Sequence, residues 1–145
     1  MGVSRGGRNT KIHLVAASDR IAITFKLSAG QCHDATQGLL LFEDKRLDEL
    51  AKRKTIYMSM DKGYEDDITR KAVKKRDFIP VVPPKSNRKK PWRYNKTIYK
   101  RRNEVERLFR RIKGFRRVCT RYEKLDIIYM AFLNLALIYD ELRLC

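Results

Sequence analysis

The sequence predicts a single mixed α/β domain, and three observations support that fold class. Runs rich in β-branched residues alternate along the chain with stretches whose apolar residues recur at helical spacing. The chain has 145 residues, enough for one compact domain and too few for two ordinary ones. Hydrophobic residues make up 43% of it, a fraction typical of a folded core.

The N-terminal part predicts a hairpin after a flexible lead-in segment. Residues 1–10 are rich in glycine and arginine and are expected to be extended and flexible. Residues 11–16 alternate polar and apolar side chains, and residues 21–27 are rich in β-branched types, so both are predicted strands. The short link over residues 17–20 suits a tight turn between them.

The middle of the chain predicts helices and strands in alternation. Asp34 and Gln37 have the spacing of a capping box, so a helix is expected from there through Phe42, with a weaker one over residues 46–52. An apolar strand over residues 55–60 ends at Asp61. After a turn at residues 62–64, acids at 65–67 begin a helix that reaches about Lys75. Residues 78–82 form a short strand, in which Pro80 suggests either a sheet edge or a strand end.

The C-terminal part predicts a basic loop and then helices. Residues 83–95 contain prolines and many cations, and helices are expected over residues 96–145. In the first, residues 96–113, one apolar stripe recurs at i, i+3, i+4 and i+7 before Gly114 ends the helix. The last helix, about 125–142, is apolar on most of its circumference and is predicted to be a buried buttress.

Charge is the unusual property of the composition. The chain has 34 Lys and Arg against 17 Asp and Glu, a formal net charge of +17, which favours a nucleic-acid partner. A basic protein of the ribosomal type would have the same charge, so charge alone leaves both classes open. The three cysteines are scattered without metal-binding spacing, and no segment resembles a signal peptide or a membrane span. The expected location is the cytoplasm, with no membrane partner.

Two acids have positions that suit chemistry. Asp61 follows an apolar strand, where open α/β sheets place ligand-binding groups, although an Asp there also commonly forms a turn. Glu106 lies on the flank of a predicted apolar stripe, with Arg102 and Arg110 one helical turn away on either side. The alternative for Glu106 is an ordinary surface salt-bridge ladder.

The spacing around these acids resembles a known family. Tyr99-x2-Arg102-x3-Glu106-x6-Lys113 matches the signature that transposases of the insertion-element four and five superfamily carry around their last catalytic acid. The segment Met-Asp-Lys-Gly-Tyr at residues 60–64 resembles the motif around their second acid. Shorter matches cover most of the chain, so it is identified as the C-terminal part of the catalytic domain of a DDE transposase.

The resemblance implies a ribonuclease-H-like mixed sheet flanked by helices, here lacking its first, central strand. It implies that Asp61 and Glu106 are catalytic and that both bind metal. The complete site would hold two Mg²⁺ or Mn²⁺ ions with a third carboxylate, an Asp expected on an upstream strand. Among the acids of this chain, Asp19, Asp34 and Asp126 do not have the right position for it.

Double-stranded DNA, both transposon ends and target, is the implied partner. Lys113 suits a phosphate, or alternatively the dipole at the helix end. The basic loop has cations for phosphates and one aromatic that suits base stacking, or alternatively it is a solvated loop with the aromatic folded onto the core. The predicted DNA-binding residues are Tyr99, Arg102, Lys113, Arg88, Lys89, Lys90, Trp92 and Arg110.

The expected function is metal-dependent DNA cleavage and strand transfer at the ends of an insertion sequence. Activity is expected only when an upstream segment or fragment completes the fold, and the complete protein is expected to form a homo-oligomer. The alternative is a catalytically dead remnant that still binds DNA. A degenerate element, a start codon placed too late, and the second frame of a frameshifted element would each produce this chain.

Overall fold

The computed structural model describes residues 2–4, 7–51 and 55–143 of the chain. Within them, five strands and seven α-helices follow one another, and one 3-10 turn lies at Lys62–Tyr64. The elements in chain order are β1 (Gly2–Ser4), β2 (Gly7–Ala16), β3 (Ala22–Ala29), α1 (Asp34–Phe42), α2 (Arg46–Ala51), β4 (Ile56–Ser59), α3 (Asp67–Lys75), β5 (Phe78–Val81), α4 (Lys96–Lys100), α5 (Asn103–Ile112), α6 (Arg116–Cys119) and α7 (Asp126–Arg143).

The chain divides into two units. Residues 1–31 and 103–145 form the first unit, and residues 32–102 form the second. The strands follow this division, because β1, β2 and β3 form one antiparallel sheet and β4 and β5 form a separate parallel pair. The mixed α/β class is confirmed. That the strands belong to one ribonuclease-H-like sheet, in one domain, stays a prediction.

In the first unit, the hairpin of β2 and β3 is covered by helices. The predicted hairpin is confirmed, with the Ala17 amide donating to the Ile21 carbonyl across the turn. Ile12, Leu14 and Phe25 are among the hairpin residues that pack against the helices. The buried core of this unit comprises Leu108, Ile112, Val118, Leu133 and Ala136.

In the second unit, pairing between the parallel strands β4 and β5 fixes the backbone just before Asp61. Residues 56–59 of β4 pair in register with residues 78–81 of β5. The Met60 amide extends the pairing by donating to the Val81 carbonyl at 3.0 Å. Parallel strands require a crossover, and α3 supplies it while it packs against β5.

Several elements differ from their prediction. Residues 1–10 were expected to be flexible, but β1 pairs with the start of β2, so the described part of the segment has regular structure. Asp34 is the first residue of α1 rather than its cap; His33 is the N-cap and makes no side-chain capping bond. The weaker helix is α2, and the predicted end at residue 52 lies outside the described residues.

The helix predicted over residues 96–113 is two helices. The α-helical hydrogen bonding is interrupted between α4 and α5 by two hydrogen bonds that span three residues instead of four. They run from the Arg101 amide to the Ile98 carbonyl and from the Arg102 amide to the Tyr99 carbonyl. The predicted cause of its end is right, since α5 stops at Ile112, just before Gly114. The short helix α6 has no counterpart in the prediction.

The last helix is not a buried buttress. One face of α7 is buried, through Tyr129, Leu133, Ala136 and Asp140, and the other exposes large apolar side chains. Hydropathy around the helix does not distinguish a face with a partner from one without, because both are apolar. No described helix combines the length and the apolar character that would let it cross a membrane.

Candidate active-site residues

Asp61 stands at the carboxyl end of β4, held by its own backbone turn. Its backbone is extended, and its Oδ1 accepts a hydrogen bond of 2.7 Å from the Lys62 amide. The Tyr64 amide donates to the Asp61 carbonyl at 2.9 Å and closes the turn. The side chain is 61% exposed. The carboxylate is thus fixed in position by local geometry while remaining open to solvent on one side.

Arg102 lies beside this carboxylate, and Tyr99 lies beside Arg102, whereas the family spacing had associated both residues with Glu106. Arg102 Nη1 is 3.9 Å from Asp61 Oδ1, and its guanidinium lies 5.9 Å from the centroid of the Tyr99 ring. Tyr99 in turn contacts the edge of Tyr94, with ring centroids 5.6 Å apart. The Asn95 side chain caps α4, which carries Tyr99, by accepting from two amides. The structure therefore brings three of the predicted site residues together within the second unit.

Tyr64 anchors the turn that carries Asp61. A Cβ built on Gly38 would lie 2.7 Å from the Tyr64 ring, so the ring rests directly on α1 where that helix has no side chain. Burial, and then the nearby charges of Asp34 and Asp61, raise the pKa of Tyr64 above its ordinary value. These effects favour the neutral form of the phenol beside the carboxylates of Asp34 and Asp61.

Asp34 lies close to the same turn, a proximity that sequence reasoning missed. A Cβ on Gly63 would lie 3.0 Å from Asp34 Oδ2, so the Asp34 side chain and the turn are in close contact and a larger residue at 63 would displace the carboxylate. The sequence motif Gly-Gln-x-His-Asp at residues 30–34 was the available signal, but the capping pattern offered a simpler explanation for Asp34.

Glu106 is exposed on α5 in the first unit. The helix is fixed by Leu108 and Ile112, which are fully buried, and Glu106 faces away from them. Arg110 is one helical turn further along the same face. Asp61 and Glu106 thus belong to different units of the chain. Lys113 follows the last residue of α5, with its amide donating to the Phe109 carbonyl, so its phosphate role and its helix-end role both remain open.

The donor chemistry of these acids fits a hard divalent cation. Carboxylate oxygens are the ligands that Mg²⁺ and Mn²⁺ prefer, and both acids are exposed enough to reach an ion. Across the described part of the chain, no group of three or more His, Cys, Asp or Glu side chains is arranged to hold a metal. Both acids thus have the right chemistry for such an ion, and their role as metal ligands stays a prediction.

Trp92 in the basic loop is folded onto the protein. Its Nε1 donates to the Val82 carbonyl at 2.8 Å. The guanidinium groups of Arg70 and Arg88 lie 3.5 and 4.5 Å from the ring centroid, which covers the ring. Of the two interpretations that the sequence left open for this side chain, the geometry favours packing over base stacking.

Arg88 is engaged by acids, and the loop lysines are not buried. Arg88 Nη1 is 3.3 Å from Oε2 of the buried Glu65, and its Nη2 pairs with Asp67. Lys89 and Lys90 are exposed. DNA contacts by these loop residues stay predictions, with the two lysines better placed for phosphates than Arg88.

These features define a basic α/β protein with an exposed carboxylate fixed at a strand end, and the comparisons give its family. A family model described as transposase DDE domain matches residues 3–140. The chain belongs to this family, whose members act in DNA transposition and generally use divalent metal ions. The search of curated proteins and the search of solved structures found no match.

Proposed function

We propose that this chain is part of the catalytic core of an insertion-sequence transposase, in which Asp61 and Glu106 supply two of the metal-binding carboxylates. The observation that carries the proposal is the geometry of Asp61. Its carboxylate stands at the end of β4, oriented by the Lys62 amide and accompanied by Arg102 and Tyr99.

The residues of this chain would hold and orient the reacting groups. Divalent ions, when bound, lower the pKa of an attacking water or 3′-hydroxyl and stabilise the leaving oxygen of the phosphodiester. Asp61 and Glu106 would supply oxygen ligands, and Arg102 would place positive charge beside a DNA phosphate. Tyr64, whose ring packs on α1 at Gly38, would hold the turn that carries Asp61.

We further propose that an upstream strand completes a ribonuclease-H-like sheet. The described strands form two small sheets, and β4 has β5 as its only described partner. An unpaired strand edge is a site where another strand adds. An open reading frame upstream, in either frame, that encodes an apolar strand ending in Asp would supply both that strand and the first catalytic acid.

The test is cleavage and joining of DNA that carries the element ends, by the chain alone and fused to that upstream segment. Asp61→Asn and Glu106→Gln are expected to reduce the rate at least about a hundredfold in Mg²⁺, because each removes a charged ligand. The matched controls are Asp48→Asn, an exposed acid on α2, and Glu104→Gln, two residues from Glu106 on α5. Unchanged rates in both Asp61 and Glu106 variants would refute the assignment.

A metal exchange separates ligation from general loss of activity. Asp61→Cys replaces a hard oxygen ligand with a softer sulfur, which disfavours Mg²⁺ more than Mn²⁺. Partial recovery in Mn²⁺ but not in Mg²⁺ is expected for a direct ligand. A carboxylate with a purely structural role would not produce this dependence on the metal.

The alternative function is DNA binding without catalysis, and one surface supports it. Three arginines line an open cleft of about 510 Å³, and one of them is paired with an acid of the same lining. The lining comprises Arg110, Arg111, Arg143, Phe115, Tyr139, Gly114 and Asp140, and it is Arg111 that pairs with Asp140. With a net charge of +17, such a cleft suits a phosphate backbone. This alternative predicts DNA binding that weakens steeply with salt and is unaffected by Asp61→Asn or Glu106→Gln.

A further inference from the structure

The outward face of α7 carries a continuous apolar surface. We name it the outer stripe, and it consists of Ile127, Ile128, Ala131, Leu135, Ile138 and Leu142. The exposed fractions reach 74% for Ile127, 61% for Leu135 and 69% for Leu142. Single exposed apolar residues are ordinary, but an exposed row of this length on one helix is typical of an interface.

The spacing of the outer stripe is that of a helix that packs against another helix. From Ile128 to Leu142, the intervals between its members are three, four, three and four residues. This seven-residue repeat keeps the side chains on one line along the helix, as in paired helices. The buried residues of α7, such as Leu133 and Ala136, lie on the opposite side and already pack within the first unit. The helix therefore has two packing faces, of which one is satisfied.

The charge on α7 identifies the kind of partner. From Ile127 to Tyr139 the helix has no charged side chain, in a chain whose total charge is +17. Its acids lie near its ends, where Asp126 pairs with Arg121 and the buried Asp140 pairs with Arg111. An uncharged, apolar surface does not suit a DNA backbone. Two copies of a strongly basic protein repel each other, and they do so least where each presents this helix.

The area is sufficient for self-association. The outer stripe exposes roughly 600 Å² per copy, the upper end for a patch on a monomeric protein. Pairing of two such surfaces would bury about 1,200 Å², the lower end of the range for specific protein interfaces. A two-fold arrangement fits, because it lets the same stripe serve both copies.

We propose that the outer stripe of α7 binds the outer stripe of a second copy of this chain. The contact needs neither metal nor DNA, so this inference does not rest on the proposed catalytic function. It gives the expected homo-oligomer a defined surface, which lies on the side of α7 opposite to the core.

The experiment measures the molar mass of the chain by sedimentation equilibrium, after nuclease treatment and in 0.5 M NaCl to remove nucleic acid. Twice the chain mass at micromolar concentration is expected, and the association should persist or strengthen as salt increases, because it is apolar. A monomer across this concentration range would overturn the proposal. The proposal would also be overturned if the chain forms a mixture of species larger than a dimer and substitutions in the outer stripe do not lower their molar mass.

Leu135→Glu tests the surface itself. The variant places a carboxylate at the centre of the interface on both copies, and the dissociation constant should rise about a hundredfold or more. Ile68→Glu on α3 is the matched control, because Ile68 is equally exposed at 66% but lies in the second unit. Its mass should stay that of the unmodified chain.

Folding of the variants is checked by circular dichroism and urea unfolding. Since Leu135 is exposed, the helical signal should be retained in Leu135→Glu. Leu142→Glu, near the end of the same stripe, is expected to weaken the dimer by a smaller factor. A dimer that survives both substitutions, or a Leu135→Glu chain that is unfolded, would overturn the proposal.

Discussion

The helices α5 and α7 pack against each other in one unit, yet their outward faces are opposite in character. Both bury a leucine completely, Leu108 in α5 and Leu133 in α7. The outward face of α5 is charged and includes Glu106, whereas that of α7 is the apolar outer stripe. A charged face is stable in water without a partner, and an apolar face gains free energy only when something covers it. The difference is what the two proposals require, with a solvated face on α5 for Glu106 and a surface on α7 for a second copy.

The largest expected effect concerns the inward faces, where the two helices are alike. Leu108→Ala and Leu133→Ala should each lower the free energy of unfolding by about 2–5 kcal/mol, since each leaves a cavity in a closed core. Urea unfolding at low protein concentration measures this. Leu135→Ala, on the outward face of α7, should change the free energy of unfolding of the monomer by no more than about 0.5 kcal/mol. A similar loss at Leu133 and Leu135 would contradict the assigned faces.

The next effect concerns the polar contact between the two helices. The buried carboxylate of Asp140 on α7 accepts from Arg111 Nε on α5, at 3.1 Å to Oδ1 and 2.9 Å to Oδ2. Asp140→Ala should cost about 1–3 kcal/mol, a value reduced by the partial exposure of the arginine. Glu141→Ala, at the adjacent position, should cost less than about 0.5 kcal/mol. If both substitutions lowered the free energy of unfolding equally, the Arg111–Asp140 ion pair would not stabilise the contact between α5 and α7.

A smaller effect depends on pH and concerns Tyr129 on the buried face of α7. Burial raises the pKa of Tyr129, partly offset by Arg121, and its hydroxyl donates to the Val118 carbonyl at 2.8 Å. The folded chain keeps this proton above pH 10, where an unfolded tyrosine loses it, so the free energy of unfolding falls as pH rises beyond about 10.

Tyr129→Phe should cost about 0.5–1.5 kcal/mol at pH 7, through the lost hydrogen bond. Its decline in stability between pH 9 and 11 should be shallower than that of the unmodified chain. The decline should not vanish, because the pKa of Tyr64 is raised as well. Urea midpoints across this range measure both quantities, and an unchanged slope would contradict the burial of the phenol.

The smallest effect is expected at Glu106. Because it is exposed on the charged face of α5, Glu106→Gln should change the free energy of unfolding by less than about 0.5 kcal/mol. The same substitution is expected to abolish DNA cleavage, which would separate function from stability on that face. A destabilisation above about 1 kcal/mol would instead indicate a structural salt bridge, the alternative that the sequence left open.

Elements that depend on interactions between residues close in the sequence were predicted, and features that depend on residues far apart were not. The hairpin, α1, β4, α3 and β5 followed from local alternation, turn residues and capping patterns, and the structure has each of them. The break between α4 and α5 was not predicted, because residues 100–103 include no proline or glycine and their local pattern is helical. The proximity of Asp34 to Gly63 joins residues far apart in the sequence, and no local pattern reports that.

The sequence by itself determined the family, the position of Asp61 at a strand end and the apolar stripe of α5, because motif spacing and side-chain periodicity are local properties. Only the tertiary structure decided that Trp92 is covered by two arginines, that Tyr64 rests on Gly38, and that half of α7 is uncovered. Those facts depend on which surfaces meet. An apolar residue has the same hydropathy whether a neighbour covers it or not, so coverage is readable only once the chain is folded.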